Sequence, residues 1–259
     1  MRALSRLAVG GAIVAATTHA LALAGSARPV IGGVDPGGSW REVVGLSTQL
    51  GLPYCSGTLI SPRIVLTAAH CLDRVPALAY VGNTPARDGT FVDVESAYAH
   101  PDHDPVTHRA DIGVVVLARP VPLPTPRLVE TMGDRSGSVA AFVGFGFTQP
   151  GPSGLQGIKH AGWQTLDAIE DELLRHGTIG CNGDSGGGVF VADGDAWSLA
   201  GVISHGDGRC EVGGAAIRVD VHRDWIETQI AELDPPSCGL DLRCVEGCDA
   251  PDLDCEDVP

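Results

Sequence analysis

The chain predicts an all-β fold, and three observations carry that prediction. Of its 259 residues 35 are glycine and 18 are proline, with only 5% aromatic, a composition suited to many short strands joined by tight turns. Short apolar, β-branched runs such as Ile64 to Leu66 and Ile112 to Leu117 are broken by turn residues before they reach helical length. An apolar fraction of 44% supplies a proper core, and an all-β chain of this size commonly folds as one compact unit. The formal net charge of −15 argues against a nucleic-acid partner, which needs a basic patch.

Taken in order, the chain starts with a segment outside the fold. Met1 to Arg6 is positive, Leu7 to Ala16 is small and apolar, and Ala22-Leu23-Ala24 and Gly25-Ser26-Ala27 offer two small-x-small cleavage sites. That layout is a secretory signal, residues 1–24, with the second site placing the cut after 27. Thr17, Thr18 and His19 interrupt the run well short of a membrane span, and no later segment is apolar enough to cross a bilayer. Eight cysteines, none in the signal, fit an oxidising destination.

Strands are expected over Trp40 to Gln49, Ser56 to Ile60, Ile64 to Ala69, Ala77 to Val81, Phe91 to Ala99 and Ile112 to Leu117. Four prolines between Pro120 and Pro126 suit a linker between two half-structures. Further strands fall on Val139 to Phe147, Trp197 to His205 and Ala215 to Val221. Acids and leucines from Asp167 to His176 recur at roughly helical spacing within a segment, 157–180, of open conformation. A helix is expected over Asp220 to Leu233, with Trp225, Ile226, Ile230 and Leu233 on one face and Pro235-Pro236 as its stop. Residues 234–259 form an acidic tail with Cys238, Cys244, Cys248 and Cys255, which pair in any of three ways among themselves. Its clustered carboxylates suit a hard cation such as calcium, but their spacing does not match an EF-hand loop, and a disulfide-tied cap is the plainer reading.

Three stretches carry chemistry. Cys181-Asn182-Gly183-Asp184-Ser185-Gly186-Gly187 sets one serine between an acid and two glycines. A serine hydroxyl is a poor nucleophile at neutral pH and needs a base for its proton and donors for the oxyanion that forms. Thr67-Ala68-Ala69-His70-Cys71 closes an apolar run and places His70 at a strand end, and Asp111 heads the run Ile112 to Leu117. His100, His103 and His108 lack a fixed zinc spacing, and a solvated loop is the expected setting for them.

Together these stretches resemble the trypsin/chymotrypsin-like serine proteases, with histidine, aspartate and serine in that family's order. The resemblance covers roughly Val30 to Leu233 and implies two antiparallel six-stranded β-barrels with the site in the cleft, plus a C-terminal helix. It implies a protease domain over 30–233, with Ser185 as nucleophile, His70 as general base and then acid, and Asp111 as the group that orients it. The amides of Gly183 and Ser185 would form the oxyanion hole. Ser204 would line the pocket and support Asp111, Ile179 would form the pocket base beside Gly180, and Gly206 and Gly214 would keep the walls open. An uncharged base at Ile179 implies preference for an apolar P1 side chain, the one before the cut bond. Cys55 would pair with Cys71 and Cys181 with Cys210. Protein or peptide is the implied substrate, protein inhibitors are further partners, and neither metal nor cofactor is needed. Within the same family a binding protein without catalysis is the alternative, and an ester hydrolase would use the same three residues.

Val30-Ile31-Gly32-Gly33 resembles the family's mature N-terminus, whose freed α-amino group pairs with the carboxylate before the nucleophile, here Asp184. Residues 25–29 would then be a short propeptide and the secreted chain a zymogen. This chain departs from the pattern at Pro29, which stands where the family has a basic residue. Signal cleavage after Ala27 followed by dipeptidyl removal of Arg28-Pro29 is one route to Val30.

Overall fold

The computed structural model describes residues 31–236 apart from 32, 50, 86 and 152. The signal, the propeptide, Val30 and the four tail cysteines therefore lie outside the described residues. Twelve strands and one helix follow in order among the described residues. The first six are β1 (Val43–Ser47), β2 (Cys55–Leu59), β3 (Ile64–Thr67), β4 (Leu78–Val81), β5 (Thr90–Ala99) and β6 (Gly113–Leu117). They close into an antiparallel barrel in the order β1-β2-β3-β6-β5-β4. The second six are β7 (Val139–Gly144), β8 (His160–Ile169), β9 (Leu173–His176), β10 (Gly188–Asp193), β11 (Ala196–His205) and β12 (Gly214–Arg218). They close in the order β10-β11-β12-β9-β8-β7. Closure leaves neither sheet with an unpaired edge. The proline-rich stretch after β6 carries the chain from one barrel to the other, as expected.

Each barrel is filled by the strands' inward side chains. Val44, Leu46, Leu66, Val114 and Val116 lie in the core that fills the first barrel and extends across the barrel interface through Phe190, Val202 and Ile217. Phe142, Leu166, Leu174, Val189 and Ile203 lie in a second core. Aromatic side chains join the halves: Tyr80 meets Phe145 edge-on at 6.0 Å, and Trp40 meets Trp163 at 5.8 Å. Such ring pairs contribute about 0.5–1.5 kcal/mol each beyond the area they bury.

Helix α1 (Arg223–Leu233) starts three residues later than the sequence reading placed it. The expected apolar face is present, with Ile226 fully buried and Trp225, Ile230 and Leu233 packed beside it. Just past the helix, the Asp234 carboxylate accepts from the Ser61 hydroxyl at 2.7 Å, which ties this end of the chain to the first barrel.

Segment 157–180 is not helical. It is the hairpin β8–β9, with a register shift between Leu166 and Ala168 where the strands bend. That irregularity breaks strict alternation, so the acids and leucines fall at a spacing that imitates a helix. β10 was also absent from the sequence reading. His70 lies in a short 3-10 turn, Ala69–Asp73, just after β3 rather than at the strand's last residue.

Candidate active site

The site lies between the barrels, and its parts come from both. The turn after β3 brings His70 towards the segment that leads into β6, and Asp111 sits two residues before that strand. Asp111 Oδ2 lies 2.7 Å from His70 Nδ1, while its Oδ1 accepts the His70 backbone N–H at 2.9 Å. From the second barrel, Ser204 at the end of β11 donates its hydroxyl to Asp111 Oδ2. Asp111 is wholly buried. Burial alone would push its carboxyl up, but the His70 hydrogen bond and charge, the Ser204 hydroxyl and the His70 amide outweigh it and hold the group down at about 2. A carboxylate acceptor at Nδ1 keeps the proton there and leaves Nε2 free to act as a base.

The Ser185 loop is fixed largely through Ser56 on β2. The Ser56 amide donates to the Ser185 carbonyl at 2.8 Å, and its hydroxyl donates to the Gly183 carbonyl at 2.8 Å. The same hydroxyl accepts the Phe145 amide at 2.9 Å, so one side chain ties the loop to both barrels. Along the loop, the amides of Asp184, Gly186 and Gly187 donate to the carbonyls of Cys181, Ile203 and Asp184. The amides of Gly183 and Ser185 donate to no acceptor among the described residues. Two N–H groups, the serine's own and that of Gly183, are thus without an acceptor among the described residues. No Ser185–His70 hydrogen bond is formed, a contact that apo sites often complete only with substrate.

Gly186 shows why this loop takes glycine. Its φ is +84°, and a Cβ there would lie 2.1 Å from both the Ser56 carbonyl oxygen and Thr67 Oγ1. Gly186→Ala is expected to cost about 2 kcal/mol or more. A chemical denaturation midpoint measures that loss; an unshifted midpoint would mean the loop relaxes freely.

Asp184 is fully buried, with its carboxylate accepting the Gly146 amide at 2.8 Å and the Cys181 amide at 3.0 Å. Gly144 and Gly146 give it room, because a Cβ on either would come within 2.5 Å of the carboxylate. Burial pushes this acid up to about 7 despite the two amides. Ile31 donates its amide to the Ile179 carbonyl at 3.1 Å and packs with Cys181 and Cys210.

The disulfides Cys55–Cys71 and Cys181–Cys210 are both formed, with the pairing the resemblance implied. They brace the turn that carries His70 and the loop that carries Ser185. One Cys/His group among the described residues, Cys55, His70 and Cys71, is close enough to hold a metal, but its two sulfurs are bonded to each other.

A cleft of about 230 Å³ opens beside Ser185, and Gly180, Ser204, Gly206 and Gly214 are among the residues that line it. Ile179 does not line it. Its side chain is buried in the second barrel's core, and His176, unremarked in the sequence, stands at the cleft instead. The expected solvated loop of histidines is also corrected. His108 stacks on His205 with ring centres 4.5 Å apart, and His100 packs on Trp225 at 4.8 Å. His103 Nδ1 lies 3.9 Å from Asp111 Oδ1, so a second imidazole backs the carboxylate.

The trypsin family model matches residues 30–226. Serine protease 56 of Homo sapiens is 31% identical over 249 residues, covering 82% of this chain and 40% of that protein. The mouse protein of the same name is 30% identical with the same coverage, so the chain spans about two-fifths of the length of these relatives. Tryptase of Mus musculus is 29% identical over 241 residues, covering 76% of this chain and 87% of that protein. With both six-stranded barrels closed and the family match spanning them, this chain belongs to the trypsin family of serine proteases.

Proposed function

We propose that this chain is an exported serine endopeptidase that cuts peptide bonds through an acyl-enzyme. Ser185 Oγ attacks the carbonyl, His70 takes its proton and later gives it to the leaving amine, and Asp111 holds the imidazole and stabilises its cation. The carrying observation is that the amides of Gly183 and Ser185 donate to no acceptor among the described residues, which supports their reading as donors to a developing oxyanion. Each such donor is worth about 3–4 kcal/mol in the transition state. The signal-like N-terminus and eight cysteines support secretion, and no helix among the described residues is long and apolar enough to cross a membrane.

Among the described residues the carboxylate that lines the pocket, Asp207, is already held by the amides of Cys210, Glu211 and Val212, and burying a lysine or arginine without a free partner would be costly. The P1 side chain is therefore uncharged with an apolar body. A peptide library read by mass spectrometry tests this, and strict cleavage after lysine or arginine would overturn it.

Activation follows from Asp184. In this proposal the α-amino group of Val30 pairs with the buried carboxylate once residues up to Pro29 are gone, and the pair orders the oxyanion loop. The pH signs differ for the two forms. Without the amine, Asp184 is protonated more readily in the folded chain, so stability falls as pH rises from about 4, its unfolded value, through about 7. With the amine, whose own pKa is raised from about 8 by pairing, the added stability holds at neutral pH and is lost as pH climbs through that raised value. Melting temperature against pH for chains starting at Arg28 and at Val30 reads this directly; identical curves would remove the pairing.

A catalytically silent binding protein is the competing reading within this family. It would keep its function in Ser185→Ala, whereas a hydrolase of either peptides or esters would lose it.

A further inference from the structure

Among the polar groups that line the pocket beside Ser185, His176 is one that neither the triad nor the oxyanion site uses. His176 ends β9 opposite Gly214 of β12, and both residues line the cleft. A Cβ on Gly214 would lie 2.8 Å from His176 Cε1 and 3.3 Å from Nε2, so the imidazole fills the space this glycine leaves open. The ring is only 3% exposed and is held edge-on against Phe142 at 4.8 Å. Its Nδ1 lies 2.8 Å from the Gly177 carbonyl oxygen, which can only accept, so the proton sits on Nδ1. Nε2 is then an acceptor, and it has no hydrogen-bond partner.

Buried polar atoms without partners are uncommon and costly, and one lining a substrate pocket has a natural partner in the substrate. We propose that His176 Nε2 accepts a hydrogen bond from the P1 side chain, so that the enzyme selects an uncharged P1 residue whose apolar body ends in a donor, tyrosine over phenylalanine. This rests on the peptidase reading and names the substrate class of its pocket.

Charge points the same way. Burial lowers the imidazole's pKa, and the Gly177 and Ala215 backbones, which favour the charged ring, only partly oppose it. A neutral ring offers an acidic P1 side chain no counter-charge. The carboxylate lining the cleft, Asp207, is already taken up by the amides of Cys210, Glu211 and Val212, and its charge also disfavours an acidic P1. Ile203, Gly180 and the Cys181–Cys210 disulfide supply apolar walls for an aromatic body. Phenylalanine would fill the same space and leave Nε2 unpaired, which is the kind of mismatch that discriminates best.

The test is a pair of peptide substrates that differ only in tyrosine or phenylalanine at P1, measured as kcat/KM. Tyrosine is expected to be favoured about tenfold, the value of one net hydrogen bond. In His176→Phe the ratio is expected to fall to about one, and in His176→Gln, whose side-chain oxygen also accepts, to remain above one. Equal cleavage by the native enzyme, an undiminished ratio in His176→Phe, or a preference for glutamate would each overturn the proposal. Calorimetry of the same two peptides on Ser185→Ala separates the two readings. If neither peptide is cut, the peptidase reading fails, while tighter binding of the tyrosine peptide still supports His176 and equal binding still refutes it.

Discussion

Ser185→Ala is expected to lower kcat on peptide substrates by about 10⁶-fold, the size of loss seen when a serine protease loses its nucleophile. The substitution removes a single oxygen. The groups that fix the loop are untouched, because Ser185 is held through its backbone carbonyl by the Ser56 amide and its neighbours are held by Ser56 Oγ and Ile203. Among the described residues its side-chain hydroxyl makes no hydrogen bond, so alanine leaves no buried partner stranded there. Melting temperature should therefore change little and substrate binding should survive. A variant that retained turnover would place the nucleophile elsewhere.

Asp111→Asn is expected to cost about 10⁴-fold in kcat at neutral pH. Asp111 is an acceptor for three donors, the His70 ring, the His70 amide and the Ser204 hydroxyl. Asparagine keeps the shape but turns one acceptor into an NH₂ group. If that NH₂ faces Nδ1, it calls for the lone pair there and drives the ring proton onto Nε2, where it blocks the base. The loss should fall on kcat more than on KM, because the substrate pocket is unaltered. Stability has its own signature. The Asp111 carboxyl is held at about 2 in the folded chain, below its unfolded value. The stability it contributes is fully present above that unfolded value, about 4, and is lost as pH falls through about 2. In Asp111→Asn that portion of the acid transition should be missing. A pH-independent kcat equal to that of the native enzyme would remove Asp111 from the mechanism.

The parts of the site legible in the sequence were those whose chemistry is local. The turn around Ser185 needs glycine at 186 because Ser56 and Thr67 crowd it, and Asp184 needs small neighbours at 144 and 146. Such constraints leave marks on residue type that can be read without knowing the fold. His70 and Asp111 were legible as ends of apolar runs, and the structure then brought them within 2.7 Å.

What stayed hidden depends on which face a strand turns inward. His176 reaches the pocket only because β9 pairs with β12 at Gly214, a register no local pattern announces. The family resemblance implied Ile179 as the pocket base, yet its side chain is buried in the second barrel's core. Ser56 reads as an ordinary small residue beside a cysteine, and its role appears only when β2 meets the Ser185 loop. The histidines at 100, 103 and 108 read as a polar loop because nothing local shows that Trp225, Asp111 and His205 lie against them.

The most direct test of the account is the intact mass of the secreted protein before and after a serine-directed fluorophosphonate. The account predicts a chain beginning at Val30 that gains one adduct, and no adduct in Ser185→Ala or at a hundredfold slower rate in His70→Ala. A chain that begins at Val30, is folded, and gains no adduct would contradict it and assign this protein to the silent, binding members of its family.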